Sequence, residues 1–237
     1  PDCHVELAAK LISAEPILAP RVVALANSVA YHPTGREITD VRTAISRIGF
    51  NPLRSMVMGL LTQQLAGNTS SATQALSKQL WEHTAQVAAL ARALARHVTH
   101  VDPETALFAG IVREVGGFYL LACAERTPQL LEGGITEWTD AGEIEVSRAV
   151  LTKLAIPATV VEAIEGYWEG YLSMPPRTLS DTLLLADELA STSSPLRLPT
   201  TDDNRAQLEI QIGEEQLSTI LKESAEEISS LYEALHF

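Results

Sequence analysis

Apolar residues recur along this chain at three- and four-residue intervals almost from its first position. Val5, Ala8, Ala9 and Ile12 make one face of a helix that Pro16 closes. Val22, Leu25, Ala26 and Val29 repeat the spacing in a second helix from about Pro20, followed by a loop through Pro33, Thr34 and Gly35. Val41, Ala44, Ile45 and Ile48 give a third, with Thr39 or Asp40 as its cap and Gly49 as its stop. Asn51-Pro52 reads as a cap followed by a first-turn proline, and Leu53, Met56, Val57, Leu60 and Leu61 stripe the helix it opens. An N-terminal helical lobe is therefore expected over residues 1–66, ending in the Gly67-Asn68-Thr69-Ser70-Ser71 loop.

Longer elements follow. Leu80, Thr84, Val87, Ala91, Leu94, Ala95 and Val98 place one helix over residues 72–100, and Asp102 with Pro103 starts another. A helix over 139–154 stops before Pro157, and 158–168 turns Val161, Ile164 and Trp168 inward. Residues 179–189 form an apolar helix that contains Asp187. The Ser-, Thr- and Pro-rich stretch 191–204 reads as a loop. Leu217, Ile220, Leu221, Ile228, Leu231 and Leu235 then stripe an amphipathic tail within 205–237, which suits docking on its own domain or on a neighbour. No sustained period-two alternation occurs, so the expected class is all-α, with residues 72–190 as the helical core.

One stretch breaks the apolar pattern. Gly110-Ile111-Val112-Arg113-Glu114-Val115-Gly116-Gly117 sets two adjacent charges inside the apolar run 105–121. Charge in a buried segment is costly unless it is paired or functional. The two glycines behind it are expected to permit a sharp turn.

At 237 residues and 46% hydrophobic, the chain can bury one sizeable core. Its formal charge of −13, from 30 acidic and 17 basic residues, opposes nucleic acid or an anionic membrane surface as the main partner. Cys3 and Cys123 are too few for a disulfide framework, and neither a spanning apolar run nor a signal peptide is evident, so the cytoplasm is the expected compartment. The chain begins with Pro1 rather than Met, which leaves room for a native N-terminus or a further domain upstream.

Gly-x-Ser-x-Gly, a phosphate-cradling Gly-rich loop and Cys-x-x-Cys are all absent. Asn27 and Ser28 are read as satisfying backbone groups near a helix end. The acids between Glu137 and Glu145 read as a solvated face. Trp138, Tyr167, Trp168 and Tyr171 are open to groove-lining or core-packing roles.

The order of Pro16-Ile17-Leu18, Ala26-Asn27-Ser28, Ile38 through Ala44-Ile45 to Ile48-Gly49, Leu80-Trp81-Glu82-His83 and Asp102-Pro103-Glu104-Thr105-Ala106 before the charged doublet resembles the HDOD domain. That domain is the output-domain relative of the HD phosphohydrolases. The resemblance implies an HD-domain-like helical bundle with an N-terminal helical lobe, a single unit over residues 1–237, of the kind found in bacterial signalling proteins. It also implies a place for the superfamily's metal site. His83 stands where the first ligand would be and Asp187 where the last would be. The superfamily's typical Gly-Leu-Leu-His-Asp-Ile-Gly carries the middle pair, and here that pair is Arg113 and Glu114.

A guanidinium has no lone pair to give a metal. His83, Arg113, Glu114 and Asp187 are accordingly degenerate metal-site positions, and no catalytic residue, cofactor-binding residue, metal or cofactor is expected. The paired His of the related HD-GYP phosphodiesterases aligns with Tyr167 and Trp168, and no Gly-Tyr-Pro follows. His4, His32, His97, His100 and His236 form no metal-spaced set.

Arg113 is expected to take the metal's place and pair with Asp187 or with Glu114; the alternative is a helix-end cation in solvent. His83 is expected to be a hydrogen-bonded core residue rather than a ligand. The first functional reading is a non-enzymatic signal-transduction module that binds protein partners, with nucleic acid and membrane excluded and homo-oligomerisation left open. A metal-dependent phosphohydrolase or phosphodiesterase with an altered site is the second reading. The third is a domain that senses a nucleotide without turnover.

Overall fold

The computed structural model describes residues 2–14, 18–28, 31, 37–66, 71–124, 127, 142–196 and 212–235. The helices are α1 (Asp2–Ser13), α2 (Leu18–Asn27), α3 (Val41–Ile48), α4 (Phe50–Ala66), α5 (Ser71–Leu94), α6 (Pro103–Val112), α7 (Val115–Ala124), α8 (Gly142–Lys153), α9 (Ala158–Glu169), α10 (Leu179–Leu189) and α11 (Glu214–Leu235). Among the described residues there is no strand, in keeping with the expected all-α class. Expectations for Pro16, Val29, His32, Gly67, Trp138, residues 197–204 and His236 lie outside the described residues.

Local chemistry sets several of the helix ends. Asp40 accepts from Thr43 N at 2.8 Å to start α3, and Gly49 ends it at φ 79°, with its N–H bonded to the Ile45 carbonyl. Asp102 accepts from Thr105 N at 2.7 Å to start α6. Thr178 and Asp181 form a capping box at the start of α10. The expected helix 72–100 is not regular to its end: α5 passes into a π-helical turn, Ala95–Thr99, closed by His100 in the left-handed region.

α5 runs through the middle of the fold, with α6, α10 and α11 packed against it. One core cluster joins Leu94, Phe108, Ile111, Leu151, Ile164 and Leu183. The other joins Val22, Leu25, Ile45 and Met56 of the first four helices to Leu80, Trp81, Phe118 and Leu121 of α5 and α7. The tail helix docks on its own domain, against α5, α2 and α4, and buries Leu217 and Ile220.

Two expectations need correction. Gly116 and Gly117 make no sharp turn; both lie inside α7, and the break falls one step earlier, at Arg113-Glu114. They serve close packing instead. A Cβ on Gly116 would come 2.7 Å from Ser147 Cα, and one on Gly117 would come 2.5 Å from Leu196 Cδ1. Secondly, Pro103–Ala124 is long and apolar enough by composition to span a bilayer, contrary to the reading that no such run exists. It is broken at the charged doublet, and 78% of its most apolar window is buried inside the protein.

Candidate functional site: a buried guanidinium cluster

Arg113 is the last residue bonded into α6, through its N–H to the Ala109 carbonyl, and the Glu114 carbonyl accepts the first bond of α7 from Phe118 N. The cation therefore lies at a helix C-terminus and the anion at a helix N-terminus, so each charge opposes the adjacent end of the helix dipole. Their side chains turn inward. The Arg113 side chain is 0% exposed and that of Glu114 3%.

The fork of the guanidinium reaches His83, Glu114 and Asp187 together. Nη1 donates to Glu114 Oε1 at 2.7 Å and to the Tyr167 hydroxyl at 2.6 Å. Nη2 lies 3.2 Å from Asp187 Oδ1 and 2.5 Å from His83 Nε2. Arg113 thus brings together His83 on α5, Glu114 at the α6–α7 junction, Tyr167 on α9 and Asp187 on α10. It is not a helix-end cation in solvent. Asp187, at 25% side-chain exposure, is the member of the cluster that opens toward water.

The histidine's role follows from its neighbours. The Thr192 carbonyl, 2.7 Å from Nδ1, can only accept, so Nδ1 carries the hydrogen. Nε2 then presents its lone pair to Arg113 Nη2, and the guanidinium bridges it to Asp187 Oδ1, which lies 3.0 Å from the same nitrogen. His83 is a hydrogen-bonded interior residue in this arrangement.

This donor set does not suit the divalent ion that the superfamily implies. Glu114 Oε1, Asp187 Oδ1 and His83 Nε2 face a guanidinium that stands between them, and a fixed positive charge at that point repels a second cation. Among the described residues, no three His, Cys, Asp or Glu side chains are placed to hold an ion.

Sequence reasoning missed several parts of the surroundings. Tyr167 was weighed as a groove or core residue, whereas its hydroxyl is an acceptor in the cluster. Gln86 and Gln79 of α5 hold residues 191–193 against the histidine; nothing local in Gln86 announces a contact more than a hundred residues away. A second charge pair, buried Arg92 with half-buried Glu104, joins α5 to α6, and the Arg92 guanidinium lies 4.7 Å above the Tyr31 ring. Of the other aromatic candidates, Trp168 sits beside Arg148 near the surface and Tyr171 is 77% exposed.

Asp181, also unremarked in the sequence, is buried and organises the turn before α10. It accepts from Ser173 N and Oγ, Arg177 N, and Thr178 N and Oγ1. Burial alone would push its carboxyl up. The Ser173 hydroxyl, the Arg177 and Ser173 N–H groups and the Thr178 hydroxyl outweigh that and hold it at about 2.

The family model of the HDOD domain matches residues 1–168, well over half of the chain. The chain belongs to the HDOD family. No curated protein matches the sequence. Two solved structures share the fold. A candidate metal-dependent phosphohydrolase from Shewanella amazonensis SB2B is 20% identical, with a TM-score of 0.77 over 96% of this chain and 85% of the other. An HDOD domain protein of unknown function from Geobacter sulfurreducens is 18% identical, with a TM-score of 0.66 over 98% of this chain and 87% of the other. At these identities the likeness speaks for the HD-like helical fold alone. α10 and its Asp187 fall beyond the stretch that the HDOD model matches.

Proposed function

We propose that this HDOD protein is a non-catalytic output module of a bacterial signalling pathway, working in the cytoplasm by binding protein partners. One observation carries the proposal: the Arg113 guanidinium lies among His83, Glu114 and Asp187, the positions that the resemblance assigns to the metal site, and makes hydrogen bonds and ion pairs to them. Metal-assisted hydrolysis needs an ion with an open position for water. Here an internal cation supplies the charge that would hold these side chains together, without an electron-pair acceptor to activate water. The cluster therefore supports the shape of the helical core, and function passes to its surface. The acidic balance of the chain disfavours a polyanionic partner and leaves proteins as the fitting class.

The test is elemental analysis of protein incubated with manganese, iron or magnesium and freed of unbound ion, followed by an assay against a generic phosphodiester. Substoichiometric metal and no hydrolysis are expected. Stoichiometric metal with turnover would return the protein to the phosphohydrolase reading.

A further inference from the structure

Residues 191–193 lie between two fixed points. On one side α10 ends at Ala190, whose N–H bonds back to the Asp187 carbonyl. On the other, Ser194 and Leu196 are buried, with Leu196 resting on Gly117. Between these anchors no backbone–backbone hydrogen bond holds the segment among the described residues. Its main-chain groups are held by side chains of α5. Gln86 Oε1 accepts from Thr192 N at 2.9 Å, His83 Nδ1 donates to the Thr192 carbonyl at 2.7 Å, and Gln79 Nε2 donates to the Ser193 carbonyl at 3.1 Å.

Gln79, His83 and Gln86 succeed one another at helical spacing on one face of α5, like fasteners along an edge. Ser191 and Ser193 are exposed and Thr192 is half-buried, so little apolar surface resists separation. Segments of this kind open at the low end of a protein's local stabilities. Release requires rotation of two glutamine side chains and loss of one imidazole contact, and it leaves every helix intact. The consequence falls on His83, because the ring that fastens Thr192 through Nδ1 is the ring that meets Arg113 through Nε2.

We infer that residues 191–193 form a flap that opens while the helical core stays folded, bringing the otherwise buried His83 to solvent and giving the Arg113 cluster a closed and an open state. This goes beyond the proposed lack of catalysis and does not depend on it.

Hydrogen exchange on the intact chain tests the flap at two places, the Thr192 amide and the C2 hydrogen of the His83 imidazole. In the native protein the Thr192 amide should exchange at least tenfold faster than the interior amides of α6. Gln79→Ala with Gln86→Ala should raise both flap and imidazole exchange by a further factor of about ten and leave α6 unchanged. If that pair prevents folding, Gln86→Ala alone carries the same comparison, since it removes the Gln86 contacts to Thr192 and spares Gln79. Thr192 exchange no faster than α6 would overturn the inference, because the segment would then open only with the whole fold. Imidazole exchange that fails to follow the amide would overturn it equally.

Discussion

At the scale of single residues, Arg113 gathers side chains from distant elements around one positive charge. That charge matters to its partners. Glu114 is buried, and among the described residues the guanidinium is the cation paired with its carboxylate. Removing one partner of a buried charged network costs about 3–5 kcal/mol. Arg113→Ala should lose stability of that order in urea denaturation. Arg113→Lys should recover only part of the loss, because a single ammonium cannot fork toward Glu114 and Asp187 together; full recovery would mean that charge alone matters.

Asp181 supports a prediction in pH. Its folded carboxyl sits at about 2, below its ordinary 3.8. The depressed folded value means its contribution is complete above the unfolded carboxylate range and is lost as pH falls from about 4 through 2. Asp181→Asn should destabilise the protein at neutral pH by about 1.5–3 kcal/mol. It should also flatten the stability curve in that acid window. An unchanged acid limb in the variant would show that other carboxylates control it.

Between elements, the separation of α5 from α6 depends on small residues. A Cβ on Gly110 would meet Ala88 Cα at 2.6 Å and Ala88 N at 3.0 Å, and backbone atoms cannot swing aside. A Cβ on Gly117 would meet the end of the Leu196 side chain, which can rotate. Alanine is the better helix former by about 1 kcal/mol. Gly110→Ala should nevertheless cost about 1–3 kcal/mol through overpacking, and Gly117→Ala distinctly less. Thermal melts of the two variants compare them directly, and a reversed order would contradict the packing account.

Over the whole molecule, α11 and α5 tie the parts together. α11 lies against α5 and also against α2 and α4, so it bridges the first helices and the central one. Ile220, fully buried in this contact, supports the helix by apolar burial. Ile220→Ala should cost about 2–5 kcal/mol, and the loss should be the same at every protein concentration. A loss that fades on dilution would place the tail on a neighbouring copy. The Arg92–Glu104 pair beneath Tyr31 makes the same kind of connection by charge rather than by apolar area.

The sequence by itself determined what depends on neighbours along the chain. The three- and four-residue periodicity located nearly every described helix, and Asp40, Gly49 and Asp102 marked their ends, because caps and stripes act within a few residues. The doublet announced a buried charge because its setting is apolar from Ala106 to Val112 before it and from Val115 to Ala124 after it. What only the tertiary structure decided depends on elements that meet from far apart. The periodic pattern is silent on which face meets which, so Gly116 and Gly117 looked like a turn until α8 and Leu196 were seen pressed against them. The partners of Arg113 come from four places in the chain, and its hydrogen bond to Tyr167 and the fastening of Thr192 by Gln86 arise from packing alone.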